Sequence, residues 1–265
     1  MASDNKASEK QVALITGAGW WPEHIPGIGH AIALALGREG YRVIVSDREL
    51  EPAERSAKDL QEKGVDAGAI ALDVTDNAQA HQVAQTLIGQ ERHIDVLVNA
   101  AALTLNRWGL KRFHDITPEQ CDTEIDVTLK GALNVTRNVL PHMLERERGN
   151  IIFISSVMGL EPAPRMSIYG LSKAALASFT TSLAGELGPR GIRVNAICPG
   201  SIHTRVATKM PEWINEAFFK RSAMSRGGEP QEIANVATFL VSDKASYVNG
   251  QCIRVDGGVQ GLLGG

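Results

Sequence analysis

A tyrosine and a lysine four residues apart, Tyr169 and Lys173, are the residues of this chain best suited to acid–base chemistry. On a helix, this spacing puts both side chains on one face, one turn apart. A free phenol has a pKa near ~10 and is a poor general base at neutral pH. An ammonium about 4 Å away, in an effective dielectric of about 20, favours the phenolate by roughly 4 kcal/mol, or about three pKa units. The pair could therefore exchange a proton near neutral pH.

A serine is the third residue that could join this chemistry. Ser156 follows the apolar run 150–154, which predicts a buried strand. A hydroxyl at the C-terminal end of a strand faces the crevice where open α/β sheets bind ligands. A Tyr-x-x-x-Lys motif alone is a weak signal, since an exposed helix face can also carry it. The elements that would position these residues must therefore decide between the two interpretations.

Composition limits the classes of protein to consider. The chain has 265 residues, 43% hydrophobic and 22% charged, with a formal net charge of −3. This length suits one large α/β domain or two small ones. The sequence has no basic stripe and no apolar run of membrane-spanning length, so we expect neither a nucleic-acid nor a membrane partner. Residues 1–10 are polar and predict a flexible tail rather than a signal peptide.

The cysteines and histidines predict neither disulfides nor a metal site. Cys121, Cys198 and Cys252 are scattered and show no C-x-x-C spacing. This pattern is typical of a reduced, cytoplasmic protein. The seven histidines also lack metal-binding spacing, so we expect no bound metal.

Short apolar runs alternate with segments of helical spacing along the whole chain. The predicted strands are 12–15, 42–46, 69–72, 95–98, 150–154, 192–197 and 251–255. The predicted helices include 28–36, 51–63, 77–92, 117–144 and 230–241. Such alternation without a clear linker predicts an α/β fold, a doubly wound, seven-stranded parallel sheet with helices on both faces. We expect one domain over residues 11–265, with a lid at about 201–229.

Glycines between the first predicted strand and helix predict a dinucleotide site. Gly17, Gly27 and Gly29 would let the backbone approach a pyrophosphate, which the helix N-terminus also attracts. An ordinary strand-to-helix turn is the alternative interpretation. Asp47 ends the second strand, where a carboxylate accepts from a ribose 2′-hydroxyl and repels a 2′-phosphate. This favours NAD over NADP, although Arg48 beside it could meet a phosphate.

Together, the motifs resemble the classical short-chain dehydrogenase/reductase family from residue 12 to residue 258. This resemblance implies a Rossmann-like domain that binds a nicotinamide cofactor. The cofactor-binding residues that it implies, besides Asp47, are Gly17, Gly27, Ile28, Gly29, Asp73, Val74, Asn99, Tyr169, Lys173, Pro199, Gly200, Ile202 and Thr204. The terminal strand resembles one that is often part of a tetramer interface, so we expect a homotetramer or homodimer.

The resemblance also implies roles for the catalytic residues. Tyr169 would donate or accept the proton, and Ser156 would hold the substrate oxygen. Lys173 would lower the pKa of the tyrosine and contact the nicotinamide ribose. Thr128 stands where the family has its catalytic asparagine, and its hydroxyl could partly hold the water of the proton relay. The implied reaction is reversible hydride transfer between a carbinol carbon and C4 of the nicotinamide.

The chain departs from the family pattern in its glycine motif. Seven residues, 20–26, separate Gly19 from Gly27 where the family has one. We expect this tryptophan-containing loop to cover the pyrophosphate or a rim of the substrate cleft, while a tolerated surface excursion is the alternative. Enoyl reductases of the superfamily also have a longer glycine loop. Their tyrosine and lysine are seven residues apart, a position held here by Leu176, so the sequence disfavours that activity.

Three loops supply candidates for the substrate site, namely Trp108, Met158, Arg165, His203 and Arg205. The two arginines could bind a carboxylate, a sulfonate or a polyol, or they could be solvated loop charges. We predict an NAD-dependent oxidoreductase that interconverts a secondary alcohol and a ketone or lactone, on a polar substrate such as a sugar or hydroxy acid. The alternatives are a 3-oxoacyl carrier-protein reductase, which usually prefers NADPH, and a nicotinamide-binding sensor that has lost catalysis.

Overall fold

The strands form one seven-stranded, fully parallel sheet in the order β3-β2-β1-β4-β5-β6-β7. The computed structural model describes residues 10–20, 25–103, 109–204, 216 and 219–259. The strands are β1 (Val12–Thr16), β2 (Arg42–Asp47), β3 (Ala67–Ala71), β4 (Val96–Asn99), β5 (Gly149–Ile154), β6 (Ile192–Pro199) and β7 (Cys252–Val255). The strand order reverses between β1 and β4, and in open α/β sheets ligands bind in the crevice at that point.

Helices cover both faces of this sheet. They are α1 (Ile28–Arg38), α2 (Leu50–Glu62), α3 (Asn77–Glu91), α4 (Pro118–Glu124), α5 (Gly131–Arg146), α6 (Val157–Leu160), α7 (Ser167–Leu187) and α8 (Pro230–Val241). Helices α1, α2 and α8 share one apolar core with the sheet, whereas α3, α5 and α7 share the core on the opposite face. The predicted doubly wound α/β architecture is therefore confirmed.

The central strands are apolar throughout because both of their faces are covered. Every residue of β1 is buried, and Phe153 of β5 is fully buried against Phe179 of α7. Several polar side chains lie at the C-terminal ends of strands. Asp47, Asn99 and Ser156 end or follow β2, β4 and β5, respectively.

The predicted single helix over residues 117–144 is wrong in one respect. Thr117 caps α4 through a reciprocal capping box with Gln120, but α4 and α5 are separated by a π-helical segment, Ile125–Lys130. A π turn hydrogen-bonds i to i+5 and so rotates the following residues relative to an α-helix. Hydrophobic periodicity does not reveal such a local change. This segment and the end of α4 pack against α7, and both Thr128 of the segment and Glu124 of α4 are buried.

Two features that a membrane or a metal partner would require are absent from the described residues. No helix in the described part of the chain is both long enough and apolar enough to cross a membrane. Within the same residues, no group of three or more histidine, cysteine or acidic side chains could hold a metal ion. The predicted tail up to residue 9, residues 205–215 and 217–218 of the predicted lid, and position Trp108 lie outside the described residues, as does Arg205 within the lid.

Candidate active site

The end of β5 and the start of α7 bring Ser156, Tyr169 and Lys173 together. Ser156 caps the short helix α6, because its Oγ accepts a hydrogen bond from the Met158 backbone N–H at 3.1 Å. Helix α6 lies directly on α7, since a Cβ added to Gly159 would be 2.6 Å from the carbonyl carbon of Lys173. The side chain of Ser156 also acts on the phenol of Tyr169, in the direction that lowers its pKa. The three residues that the sequence singled out thus share one site.

The backbone at the end of β5 fixes Lys173. Its ammonium donates to the carbonyl oxygen of Ile154 at 2.7 Å, and the hydroxyl of Ser155 donates to the Lys173 carbonyl at 2.8 Å. The side chain is almost entirely buried. Burial disfavours the charged form and lowers the pKa of Lys173 to about 8, although Glu124 acts in the opposite direction. Sequence reasoning missed Ser155, whose role depends on this packing.

Burial also governs Tyr169 and overturns one expectation. Its pKa is raised to about 12, chiefly by desolvation, while the hydrogen bond with Ser156 acts to lower it. The Lys173 ammonium lies 5.8 Å from the centroid of the phenol ring. This ammonium donates to the Ile154 carbonyl and lies over the face of the Tyr169 ring. The prediction that the spacing of the pair alone would bring this pKa near neutrality is therefore wrong for the structure described.

Thr128 is fully buried where the family pattern has asparagine. Its hydroxyl accepts from the backbone N–H of Leu103 at 3.2 Å and donates to a carboxylate oxygen of Glu124 at 2.8 Å. It thereby joins the loop after β4 to the helix that faces α7. Sequence reasoning missed Glu124 because a glutamate on a helix normally faces solvent. Its spacing of four residues from Thr128 was the available signal.

The turn after β1 is shaped by close backbone contact. Gly17 has a φ of +63°, and a Cβ there would lie 2.5 Å from the Cα of Ala101. The hydroxyl of Thr16 accepts from the backbone N–H groups of Ala100 and Ala101, both at 3.2 Å. The glycine therefore lets the turn after β1 lie against the loop after β4.

Replacing Gly17 by alanine should lower the free energy of unfolding by about 1–3 kcal/mol, since the new side chain is strained by φ and by contact. Chemical denaturation measures the change. Gly185→Ala is the matched control, because Gly185 is a helical glycine with no atom within 4 Å of an added Cβ. It should stabilise by roughly 0.5–1 kcal/mol. Equal changes in the free energy of unfolding for the two substitutions would contradict the strained and crowded environment assigned to Gly17.

The N-terminus of α1 fits a pyrophosphate. The helix begins at Ile28, directly after Gly27, with no side chain capping it. Among the described residues, no atom lies within 4 Å of a Cβ added to Gly27, whereas Gly29 packs tightly on Gly17 and Ala18. The first N–H groups of a helix and its positive dipole end attract phosphate oxygens. The described residues at this end of α1 thus suit the phosphates of a dinucleotide.

Asp47 lies beside this turn. Its two carboxylate oxygens accept from the backbone N–H groups of Gly19, at 3.2 Å, and of Arg48, at 2.8 Å. Burial raises the pKa of the carboxyl group, and both hydrogen bonds oppose the rise. The exposed guanidinium of Arg48 pairs with Glu49 at 3.2 Å. The side chain that faces the glycine turn is therefore the acidic one.

The other predicted cofactor residues also lie at the carboxyl edge of the sheet. Asp73 accepts from the backbone and hydroxyl of Thr75, and Val74 packs on Gly131. The amide of Asn99 donates to Thr136 at 3.1 Å, while its buried oxygen has no partner among the described residues. The remaining four lie at or just after the end of β6, and they are Pro199, Gly200, Ile202 and Thr204. An unpaired buried oxygen at this edge suits a polar ligand.

Of the substrate candidates, Met158 contacts the catalytic candidates directly, since its backbone N–H donates to Ser156. It is buried with Met166, and Tyr169 packs against the same cluster. Arg165 is exposed and adopts a φ of +67°. The ring of His203 lies 4.9 Å from that of Phe219. Trp108 and Arg205 are outside the described residues, so their predicted roles remain predictions.

The start of the extra glycine loop packs onto α1. The ring of Trp20 lies 5.7 Å from that of His30, and its backbone N–H donates to the carbonyl of Pro52 at 3.0 Å. His30 is buried and contacts Ser56 and Asp59 of α2. Residues 21–24 lie outside the described part, so the covering role of the loop stays a prediction.

The chain is similar to known proteins over almost its whole length. The family model that matches the chain is described as enoyl-(acyl carrier protein) reductase and covers residues 25–260. The 3-oxoacyl-[acyl-carrier-protein] reductase FabG of Thermotoga maritima is 38% identical over 251 residues, which is 95% of this chain and 98% of that protein. Oxidoreductase UcpA of Salmonella typhimurium is 37% identical over 257 residues, 94% of each chain.

The chain also resembles a solved structure in both fold and sequence. The crystal structure of 3-oxoacyl-[acyl-carrier protein] reductase from Brucella melitensis matches with a TM-score of 0.86 and 34% identity, covering 95% of this chain and 92% of that one. The description of the family model names an enoyl reductase, but Tyr169 and Lys173 are four residues apart rather than seven. The chain belongs to the classical short-chain dehydrogenase/reductase family, whose members are nicotinamide-dependent oxidoreductases.

Proposed function

We propose that this protein reduces the ketone of a 3-oxoacyl thioester to a secondary alcohol, reversibly, with NADH as the reductant. The observation that carries the proposal is the cluster of Ser156, Tyr169 and Lys173 at the carboxyl edge of β5. The names of the two reductases compared above support the substrate class. This differs from the sugar or hydroxy acid favoured by the sequence and takes up the carrier-protein reductase alternative.

The protonation state of Tyr169 supports the direction of reduction. A phenol with a pKa of about 12 holds its proton at neutral pH, as a proton donor must. Tyr169 would donate this proton to the carbonyl oxygen, while the Ser156 hydroxyl donates a hydrogen bond to the same oxygen and polarises it. The nicotinamide supplies the hydride to the carbonyl carbon.

Lys173 would contact the nicotinamide ribose and act on the charge of Tyr169. Its buried ammonium would donate to a ribose hydroxyl and stabilise negative charge left on Tyr169 after proton transfer. Thr128 is placed to keep the loop after β4 against this part of the site through Leu103. The residues of the chain thereby orient the reactants and move one proton.

Asp47 supports NAD as the preferred dinucleotide. A carboxylate at the end of β2 can accept from the two ribose hydroxyls and would repel a 2′-phosphate. Arg48, the residue that could have reversed this preference, is paired with Glu49. We therefore propose NAD(H), with NADP(H) the less favoured cofactor.

A cofactor oxidation assay tests the proposal. Purified protein is given NADH or NADPH with a short 3-oxoacyl-coenzyme A, and NAD⁺ or NADP⁺ with sugars, hydroxy acids and secondary alcohols. We expect the highest kcat/KM for NADH with the 3-oxoacyl thioester. A tenfold higher value for any polar alcohol would contradict the substrate class. Cofactor binding without turnover of any compound would instead indicate a sensor.

One observation favours a second candidate, the oxidation of a polar secondary alcohol. The acidic Asp47 suits NAD⁺, which is the usual oxidant of dehydrogenases, whereas carrier-protein reductases usually prefer NADPH. Arg165 is exposed four residues before Tyr169 and could meet an anionic substrate. If this candidate is correct, Arg165→Ala should raise KM about tenfold for carboxylated alcohols and leave neutral alcohols unchanged.

The organisation around this activity is also a proposal. We propose that residues 11–265 act as one catalytic domain, with a lid at about 201–229, in the cytoplasm. We further propose a homotetramer or homodimer, because Leu171 of α7 and Phe113 are 51% and 69% exposed in the single chain. Light scattering after size-exclusion chromatography measures the mass, and a monomer at micromolar concentration would contradict the proposal.

A further inference from the structure

A buried glutamate that the sequence pattern did not single out lies beside the proposed catalytic residues. Glu124 ends α4 and is only 5% exposed. One of its carboxylate oxygens accepts the hydroxyl proton of Thr128 at 2.8 Å. An acidic side chain is rarely buried to this extent without a charged partner. We therefore expect Glu124 to act on a charged group nearby.

Among the described residues, the charged group that acts on Glu124 is the ammonium of Lys173. Both side chains are nearly inaccessible, and α4 and the π-helical segment pack against α7, which carries Lys173. Burial raises the pKa of the Glu124 carboxyl group, while the Thr128 hydrogen bond and the charge of Lys173 oppose this rise. Burial lowers the pKa of Lys173, and Glu124 acts to raise it. Charge on Glu124 also raises the pKa of Tyr169. The carboxylate thus acts electrostatically on both members of the Tyr-x-x-x-Lys motif.

No other acid described near Lys173 can replace this charge. The thiol of Cys198 also acts on Lys173, but its hydrogen bond with Cys252 and its burial raise the pKa of that thiol, so it stays neutral. The other contacts of the lysine are neutral groups, namely the carbonyl of Ile154 and the ring of Tyr169. A buried ammonium without a counter-charge loses its proton readily.

We propose that Glu124, held in place by Thr128, is a positioning residue that keeps Lys173 protonated and sets the upper pH limit of catalysis. The pair Glu124 and Thr128 would stand in for the asparagine of the family pattern. Glu124 acts through Lys173 and touches neither substrate nor cofactor in this proposal. The inference rests on the proposed function for its kinetic readout, whereas its spectroscopic readout is independent of it.

The proposal predicts the sign of a shift in pH dependence. Removing a negative charge lowers the pKa of every acid nearby, so Glu124→Gln should lower those of both Lys173 and Tyr169. Carbonyl reduction needs the protonated forms. The alkaline limb of the kcat profile for reduction should therefore move to lower pH by about one pH unit. Glu124→Asp keeps the charge and should leave the limb in place, even if the rate falls.

Two further variants make the comparison specific. Thr128→Val removes the hydrogen bond that lowers the pKa of the Glu124 carboxyl group, so it should move the limb in the same direction but less far. Glu119→Gln changes an exposed glutamate of the same helix and should not move it. Circular dichroism of each variant reports whether it is folded. A lower rate with an unmoved limb in Glu124→Gln would show a structural role only and would overturn the proposal.

Infrared spectroscopy tests the charge of Glu124 without any turnover. The difference spectrum between wild type and Glu124→Gln should show a carboxylate band, and no carboxylic acid band, across the pH range of activity. A persistent carboxylic acid band in that range would overturn the proposal, since a neutral acid is no counter-charge. If the protein reduces no 3-oxoacyl thioester yet shows this carboxylate, the proposed substrate fails and the role of Glu124 stands.

Discussion

Replacing Tyr169 by phenylalanine is expected to lower kcat for carbonyl reduction by about 10²–10⁴-fold, the range that a general acid contributes. The substitution removes one oxygen and leaves the ring that packs against Met158 and Met166. The fold and the binding of NADH should therefore be preserved. Steady-state kinetics measure the rate, and quenching of protein fluorescence by NADH measures binding.

Tyr247→Phe is the matched control for this prediction. Tyr247 is fully exposed, whereas Tyr169 is partly buried, and the substitution removes the same hydroxyl. The Tyr247→Phe enzyme should have the same kcat as the wild type. A Tyr169→Phe enzyme that retained more than about a tenth of the wild-type kcat would contradict the role of the phenol as proton donor.

The second large effect concerns the choice of dinucleotide. Asp47→Asn should shift the ratio of kcat/KM for NADH over NADPH towards NADPH by about 100-fold. Like charges about 5 Å apart in a dielectric of about 20 repel by roughly 3 kcal/mol, and the amide removes that repulsion of a 2′-phosphate. The amide oxygen can still accept from the backbone N–H of Gly19, so the glycine turn should keep its shape.

An exposed residue provides the control for charge alone. Glu54→Gln removes the same unit of charge from an exposed side chain of α2 and should leave the ratio within about threefold, since exposed charges are screened. An unchanged ratio in Asp47→Asn would mean that this carboxylate does not face the ribose. NADP would then return as an equal candidate.

Much of the fold followed from local patterns in the chain. The seven strands were predictable because buried parallel strands are short, apolar throughout and separated by helices. The cap of α3 was predictable too, because an aspartate directly before a helix is a favoured N-cap residue. The side chain of Asp76 accepts from the backbone N–H groups of Ala78 and Gln79. The π-helical segment was not predictable, because one extra residue in a turn leaves no mark on hydrophobic spacing.

The site was predictable only as far as its residue types. The order of motifs placed Ser156, Tyr169 and Lys173 in one site, and the structure brings them together. The pKa of Tyr169 was not predictable, because desolvation depends on what packs around a side chain rather than on spacing. Glu124 was missed for the same reason, since its burial against α7 depends on tertiary contacts.

A crystal structure of the protein with NADH and an unreactive 3-oxoacyl analogue tests the central claim most directly. The account predicts that the side-chain oxygens of Tyr169 and Ser156 both lie about 2.5–3.0 Å from the carbonyl oxygen of the analogue. It also predicts the Lys173 ammonium on a ribose hydroxyl. A phenol directed away from the bound carbonyl, or a carbonyl oxygen held by other side chains, would contradict the account.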